Sequence, residues 1–176
     1  LYRPGGAGHQ ALVAAYGREI LDASGGIDRK KLADIAFEST NAAQKLNQLI
    51  HPLVLQEEER IIAAESERFP DRDRIFVVEA SLLLEAGGRE GYDRIIVVDL
   101  DQETQLARAE ARGMTRAEAS RRMKYQMQRE KRVAQADYVI DNSGDRRSAE
   151  VAILQIYEKL RADMQAKKSG TLPPHK

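Results

Sequence analysis

Three short apolar runs, each ending in acidic or amide residues, organise the second half of this chain. Residues 75–78 run into Glu79, residues 95–98 into Asp99, and residues 138–140 into Asp141 and Asn142. Each run is too short for a buried helix and is rich in Val and Ile, the composition of a strand inside a parallel sheet. Helical spacing fills the gaps between them, over about residues 102–112 and again from Thr115. Thr115 and Glu118 have the spacing of a capping box, in which each side chain satisfies a free amide at the helix start. That helix leads through the basic stretch 121–124 to a second basic cluster at 129–132. A closing helix is predicted from Ser148 to about Met164. Strand–helix alternation of this kind predicts an α/β fold, a parallel sheet with helices on both faces.

The first half has no strand pattern and reads as helical. Residues 11–16 form a short helix closed by Gly17, the usual residue just past a helix end. Asp28 caps a second helix with Leu32, Ile35 and Ala36 on one face. Ser39 and Thr40 can cap a third, in which Leu46, Leu49 and Ile50 are spaced as a buried stripe. Pro52 lacks an amide donor and is expected to disturb or restart that helix before a charged helix continues to about Arg68. The expected organisation is a helical region over 1–72, an α/β core over 73–164 with a helical lid at about 108–135, and a flexible tail over 165–176. Gly170, Pro173 and Pro174 are the reason to expect fraying in the tail.

Composition narrows this picture. At 176 residues and 42% apolar, the chain is long enough for one large domain, or one domain with a helical insertion. No apolar stretch approaches the length needed to span a bilayer, and no signal-peptide pattern opens the chain. Cysteine is absent, which excludes disulfides and thiolate metal sites and fits a cytoplasmic location. Lys+Arg and Asp+Glu both total 28, so net charge points to neither a nucleic-acid nor a membrane partner and leaves the oligomeric state open. Any anionic ligand must be met by a local basic cluster. The first residue is Leu1, followed by the loop-like Tyr2-Arg3-Pro4-Gly5-Gly6, and only three strands are visible. Both features raise the expectation that further residues precede Leu1.

Open parallel sheets bind ligands beyond the carboxyl ends of their strands, so the polar tips are the first candidates for chemistry. Arg108, Arg112, Arg116, Arg121, Arg122, Lys124, Arg129, Lys131 and Arg132 all fall between the second and third runs. They could form a lid over phosphates, because guanidinium groups bind phosphate oxygens bidentately. The same run also reads as a solvated helix face paired with Glu110, Glu118 and Glu130. Glu79 sits where nucleotide-binding folds place a metal-organising acid, and equally where an ordinary capping carboxylate would stand. His51 beside an apolar stripe reads as a packed structural histidine, and nothing places a nucleophile near it. Gly5-Gly6-Ala7-Gly8 follows no strand and lacks the Gly-Lys-Ser/Thr of a phosphate-binding loop, so it reads as a plain turn.

Taken in order, the segments resemble the dephospho-CoA kinase family from about Leu1 to Leu160. The early part is similar to that family's helical CoA-binding region: Pro4-Gly5, Tyr16-Gly17, Ile20-Leu21, Gly26-Ile27-Asp28-Arg29, Leu32, Phe37 and Ile50-His51-Pro52-Leu53-Val54. Glu79-Ala80-Ser81-Leu82-Leu83-Leu84-Glu85 is similar to the family's strand end, with Ser81 where proline is usual. Val97-Val98-Asp99, Glu103-Thr104-Gln105-Leu106-Ala107-Arg108, Gln126, Arg129 and Ala136-Asp137-Tyr138-Val139-Ile140-Asp141-Asn142-Ser143-Gly144 follow in the family's order.

The resemblance implies a P-loop-type kinase that moves the γ-phosphoryl of ATP, with Mg²⁺, to the ribose 3′-hydroxyl of dephospho-CoA and so makes CoA. It implies that Arg108 stabilises phosphoryl charge, with Arg129 as a second candidate. Asn142 and Gly144 would lie beside the adenine, Glu79 at the metal, and His51, Leu83 and Glu85 near the acceptor. The family's first strand, its Gly-Lys-Ser/Thr loop and the acid that accepts the hydroxyl proton are absent here, so the chain is expected to be N-terminally incomplete, inactive as it stands and marginally stable. The alternatives are another small-molecule P-loop kinase, or a derivative that binds CoA-like ligands without catalysis.

Overall fold

A computed structural model describes residues 1–36 and 38–175 of the chain. Phe37 and Lys176, which belong to the resemblance and the expected tail respectively, lie outside the described residues. The chain divides into two compact units, Leu1–Asp73 and Arg74–Lys176.

The first unit is helical. Helix α1 (Ala7–Tyr16) stops at Gly17, whose φ of 80° suits glycine and whose amide closes back on the carbonyl of Val13. A 3₁₀ turn (Arg18–Ile20) follows, and an antiparallel bridge between Leu21 and Ile27 closes the next loop. Asp22 organises that loop, accepting from the amides of Ser24 and Gly26 and from the Ser24 hydroxyl at 2.6 Å. Helix α2 (Arg29–Ala36) is capped by Asp28, whose carboxylate accepts from the amides of Lys30 and Lys31. Leu12 and Ile20 are fully buried, and with Ile27, Leu32 and Ile50 they form the core of this unit.

Helix α3 runs unbroken from Thr40 to Arg68, with Ser39 accepting from the amide of Ala42 and Pro52 inside it. The expected disturbance at Pro52 is therefore absent. The ring removes one helix hydrogen bond. Leu46, Leu49 and Ile50 before it, and Leu53 and Val54 after it, pack on the same core, and burial of both halves of one stripe outweighs that loss.

The second unit holds the sheet. Strand β1 (Ile96–Asp99) pairs in parallel with β2 (Tyr138–Asp141), Ile96 facing Tyr138 and Asp99 facing Asp141. The α/β class and the parallel sense match expectation, but the strand expected at residues 75–78 is not one. Residues 72–80 are without regular structure, and Val77 is 76% exposed. A strand is completed only by a hydrogen-bonded neighbour, and among the described residues none pairs with this segment. Residues 81–87 wind in turns, with the amide of Ala86 on Leu82 and that of Gly88 on Leu83.

Helices α4 (Gln102–Ala111), α5 (Arg116–Met123), α6 (Arg129–Ala134) and α7 (Arg146–Lys168) complete the unit. Ile95, Val97 and Ala136 are its buried centre, packed by Leu83, Leu84, Tyr92 and Val133. Asp145 caps α7 by accepting from the Ser148 amide, so the helix opens ahead of Ser148 and continues past Met164. Beyond α7, the carbonyl of Pro173 accepts from Arg94, and the His175 ring meets the Asp137 carboxylate at 2.8 Å and the Tyr92 carbonyl at 2.7 Å. The terminal segment thus has anchors that its Gly and Pro content did not announce. Among the described residues no helix is long and apolar enough to cross a membrane.

The starts of α4, α5 and α7 rely on carboxylates. Hydrogen bonds hold their carboxyls below the ordinary values: the Thr104 hydroxyl and amide for Asp101, the Thr115 amide and hydroxyl for Glu118, and the Ser148 amide and hydroxyl for Asp145. A depressed pKa contributes stability that is complete above the unfolded value and lost as pH falls through the folded one. Helical ellipticity is therefore expected to hold from neutrality down to about pH 4 and to decline below it. A pH titration by circular dichroism checks this; a decline that sets in above pH 5 would contradict it.

Candidate nucleotide site

The parallel register brings the carboxyl ends of β1 and β2 side by side. The Asn142 amide donates to the Asp99 carbonyl at 2.8 Å, carrying the ladder one residue beyond β2 and fixing where Asn142 stands. A cleft of about 570 Å³ opens there, lined among others by Leu100, Gln105, Arg108, Arg112, Arg122 and Asn142. Clefts of this size suit a nucleotide-sized ligand.

Helix α4 places three of these side chains by periodicity alone. Gln105, Arg108 and Arg112 fall at helical spacing along one side, and Leu106, 3% exposed, anchors the helix to the interior. Arg108 is half-buried, and among the described residues it has no ion-pair or hydrogen-bond partner for its guanidinium. Arg112 turns its Nε back to the Arg108 carbonyl at 3.1 Å, which satisfies part of the open end of α4. A half-buried cation without a partner, on the wall of a cleft, is arranged to meet an anion.

The basic run is divided by function. Arg116 spends its charge on Glu103 and Glu110, both exposed, which is the solvated-face reading. Arg129 is held elsewhere. Its Nε and Nη2 fork onto the two oxygens of Asp99 at 2.9 and 2.6 Å, and that bond raises the pKa of the guanidinium above its ordinary value. Asp99 is a buried charged residue, at 8% exposure. On sequence grounds Asp99 is the least informative strand tip, yet it fixes α6 against the sheet end. The available signal is physical: an acid at a buried strand end must find a cation, and the nearby basic run supplies one.

The other candidates are dispersed. Glu85 accepts the Met127 amide at 2.6 Å and so ties down the corner between α5 and α6. Leu83 packs on the core of the second unit. Gly144 lies in the bend before α7, close to Ser148 in the first turn of that helix. Glu79 is exposed within the irregular segment. His51 is half-buried on α3 of the first unit. Only Arg108 and Asn142 of the candidate set line the cleft, where Gln105, Gln126 and Arg122 join them. Among the described residues no group of three or more His, Asp or Glu side chains could hold a metal ion.

Known proteins resemble this chain along most of its length. The family model described as dephospho-CoA kinase matches residues 1–148. The dephospho-CoA kinase of Aquifex aeolicus is 41% identical over 162 residues, covering 92% of this chain and 80% of that protein. That of Geobacter sulfurreducens is 37% identical over 158 residues, 89% of this chain and 78% of the relative. That of Frankia casuarinae is 34% identical over 164 residues, 93% and 69% respectively. The chain belongs to the dephospho-CoA kinase family.

Proposed function

We propose that this chain serves ATP-dependent phosphorylation of the ribose 3′-hydroxyl of dephospho-CoA, giving CoA in the cytoplasm. ATP occupies the cleft of the second unit, and the helical first unit receives the acceptor. The observation that carries this reading is the half-buried Arg108, unpaired among the described residues, on a cleft that Asn142 also lines.

Phosphoryl transfer asks little covalent chemistry of a protein; it needs positioning and neutralisation of the charge spread over the phosphoryl oxygens. Arg108 provides a guanidinium fork for those oxygens, and Arg112 and Arg122 add positive potential along the same wall. Asn142, and Gly144 close beside it in sequence, meet the adenine, with the Asn142 side chain free to pair with a base edge. Arg129 acts through Asp99, holding α6 in place, rather than on phosphate. Glu85 fixes the corner at Met127, and Leu83 shapes the interior below it; His51 stands on the acceptor side.

Mg²⁺ keeps most of its water and takes one or two carboxylates together with substrate phosphates. A single exposed acid such as Glu79 fits that donor set only in company with ATP, and would hold the ion directly or through water. The ion's contribution when bound is neutralisation of phosphate charge.

Titration calorimetry of the 176-residue chain with ATP and, separately, with dephospho-CoA tests the reading. Both ligands are expected to bind. Arg108→Ala is expected to weaken ATP about tenfold, the value of one charge-assisted hydrogen bond, and to leave dephospho-CoA unchanged. Failure of the unaltered chain to bind dephospho-CoA, or tighter binding of a plain nucleoside, would overturn it.

A further inference from the structure

A segment beyond α7 folds back on the second unit. The Pro173 carbonyl accepts from Arg94 at 3.1 Å, and the His175 ring reaches the amino ends of both strands. Its Nδ1 lies 2.8 Å from Oδ2 of Asp137, the residue before β2, and its Nε2 lies 2.7 Å from the carbonyl of Tyr92, ahead of β1. Asp137 already joins the two strands. Its amide donates to the Ile95 carbonyl at 2.9 Å, and its Oδ2 accepts from the Ile95 amide at 2.8 Å. The side chains of His175 and Asp137 are only 25% and 7% exposed. These contacts lie at the other end of the strands from Asn142, and His175 stands outside residues 1–148 of the family match.

The partners of the ring set how many protons it must carry. A carboxylate oxygen and a backbone carbonyl both accept, and neither has a hydrogen to give. A neutral imidazole has one N–H, so it donates to one of them and turns a lone pair on the other. Only the imidazolium, with both nitrogens protonated, donates to both. It also sets a positive charge against a carboxylate that is largely out of water. The other charges nearby are engaged with one another. Arg94 forks onto Asp163 of α7, which also takes the Tyr138 hydroxyl, and Lys167 of α7 meets Asp93 at 2.7 Å. Lys159 of α7 stands over the Tyr138 ring. Arg94 also feels the Asp137 charge, more weakly than that of Asp163, and is the like charge beside which the imidazolium must sit.

We propose that residues 172–175 form a proton-dependent strap, docked on the amino ends of β1 and β2 while the His175 ring is doubly protonated and released when it loses a proton. Loss of that proton removes the charge facing Asp137 and sets a nitrogen lone pair against an oxygen lone pair. Docking and protonation favour one another. The strap's contribution is therefore complete on the acid side of the range in which histidines titrate, about pH 5 to 8, and is lost as pH rises through it. This is the opposite sense to the carboxylate caps, whose contribution is lost in acid.

Nitrogen-15 relaxation of the full 176-residue chain reads the strap through the amides of Leu172 and His175, since the two prolines between them have none. Order parameters above about 0.8 are expected at about pH 5.5, and below about 0.6 at about pH 8. Ring nitrogen shifts are expected to show both His175 nitrogens protonated wherever the segment is ordered. His175→Gln takes up no proton in this range and is expected to leave the segment mobile at both pH values. The same variant separates His175 from His9 and His51, the other two histidines of the chain. Asp137→Asn keeps an acceptor for the Ile95 amide but removes the charge, and is expected to loosen the strap at the lower pH; circular dichroism reads whether the unit is still folded. A segment equally ordered at both pH values in the unaltered chain would overturn the proposal. So would a pH response that survives in His175→Gln, or an ordered segment around a neutral ring.

Discussion

Asp163→Ala is expected to destabilise the second unit by about 3–5 kcal/mol, the largest effect of any single substitution considered for this chain. Asp163 on α7 takes both Nε and Nη2 of Arg94, at 2.8 and 3.2 Å, and also accepts from the Tyr138 hydroxyl at 2.6 Å. Arg94 and Asp163 have side chains only 8% and 19% exposed. The hydrogen bond to Asp163 raises the Arg94 pKa, so the charge stays on at any accessible pH. Among the described residues, removing the carboxylate leaves the desolvated Arg94 with only the Asp93 and Pro173 carbonyls and takes the acceptor from the half-buried Tyr138 hydroxyl. A buried charge without its counter-ion costs far more than the pair itself contributes.

The same contacts join α7 to the strand pair, since Tyr138 opens β2 and Arg94 lies just ahead of β1. The expected result is a fall of roughly 12–20 °C in the melting transition of this unit. Thermal unfolding followed by ellipticity measures it. Tyr138→Phe serves as a control that removes one hydrogen bond without stranding a charge, and is expected to cost only about 1 kcal/mol. A melting temperature for Asp163→Ala within two degrees of the unaltered chain would show that the fork is not what fastens α7.

The second large effect concerns turnover. The 176 residues contain no Gly-Lys-Ser/Thr sequence, and hence no lysine on the β- and γ-phosphates and no hydroxyl on the metal in the manner of a phosphate-binding loop. Incubated with ATP, Mg²⁺ and dephospho-CoA, these residues by themselves are expected to form no CoA above the uncatalysed background. Arg108, Arg112 and Arg122 can neutralise part of the phosphoryl charge, but a group that must be held in line and neutralised along its whole length is not brought to reaction by one wall of a cleft. Binding and turnover should therefore separate, with ATP bound and sensitive to Arg108 while CoA is not produced. Chromatographic detection of CoA decides it, and clear turnover by this chain would show that neutralisation by the arginines suffices.

Much of the architecture was legible along the chain because it rests on local chemistry. The capping box at Thr115 and Glu118, the Asp28 cap and the Gly17 stop each satisfy amides or carbonyls within a few residues, so their spacing is written in sequence. The apolar runs of β1 and β2 were readable for the same reason: period and length give the element before any partner is known. Arg108 and Asn142 became candidates only through the family resemblance; that both line one cleft came with the fold.

What the sequence could not supply depends on who the neighbours are. Residues 75–78 have the composition of a strand, but a strand is a relation between two segments, and among the described residues that segment has no partner. Pro52 has the signature of a helix break, but the stripe on either side of it is buried in one core, and tertiary packing overrode the local penalty. The arginine run was ambiguous between lid and solvated face because charge alone does not say which carboxylates are near. Only the fold gave Arg116 to Glu103 and Arg129 to Asp99 and left Arg108 without a partner among the described residues. Period and caps thus announced most of the elements, and the ordered motifs announced the family. The tertiary structure alone decided which charges are already satisfied, because pairing is set by distances between residues far apart in the chain, and it is the unsatisfied charges that are left for ligands.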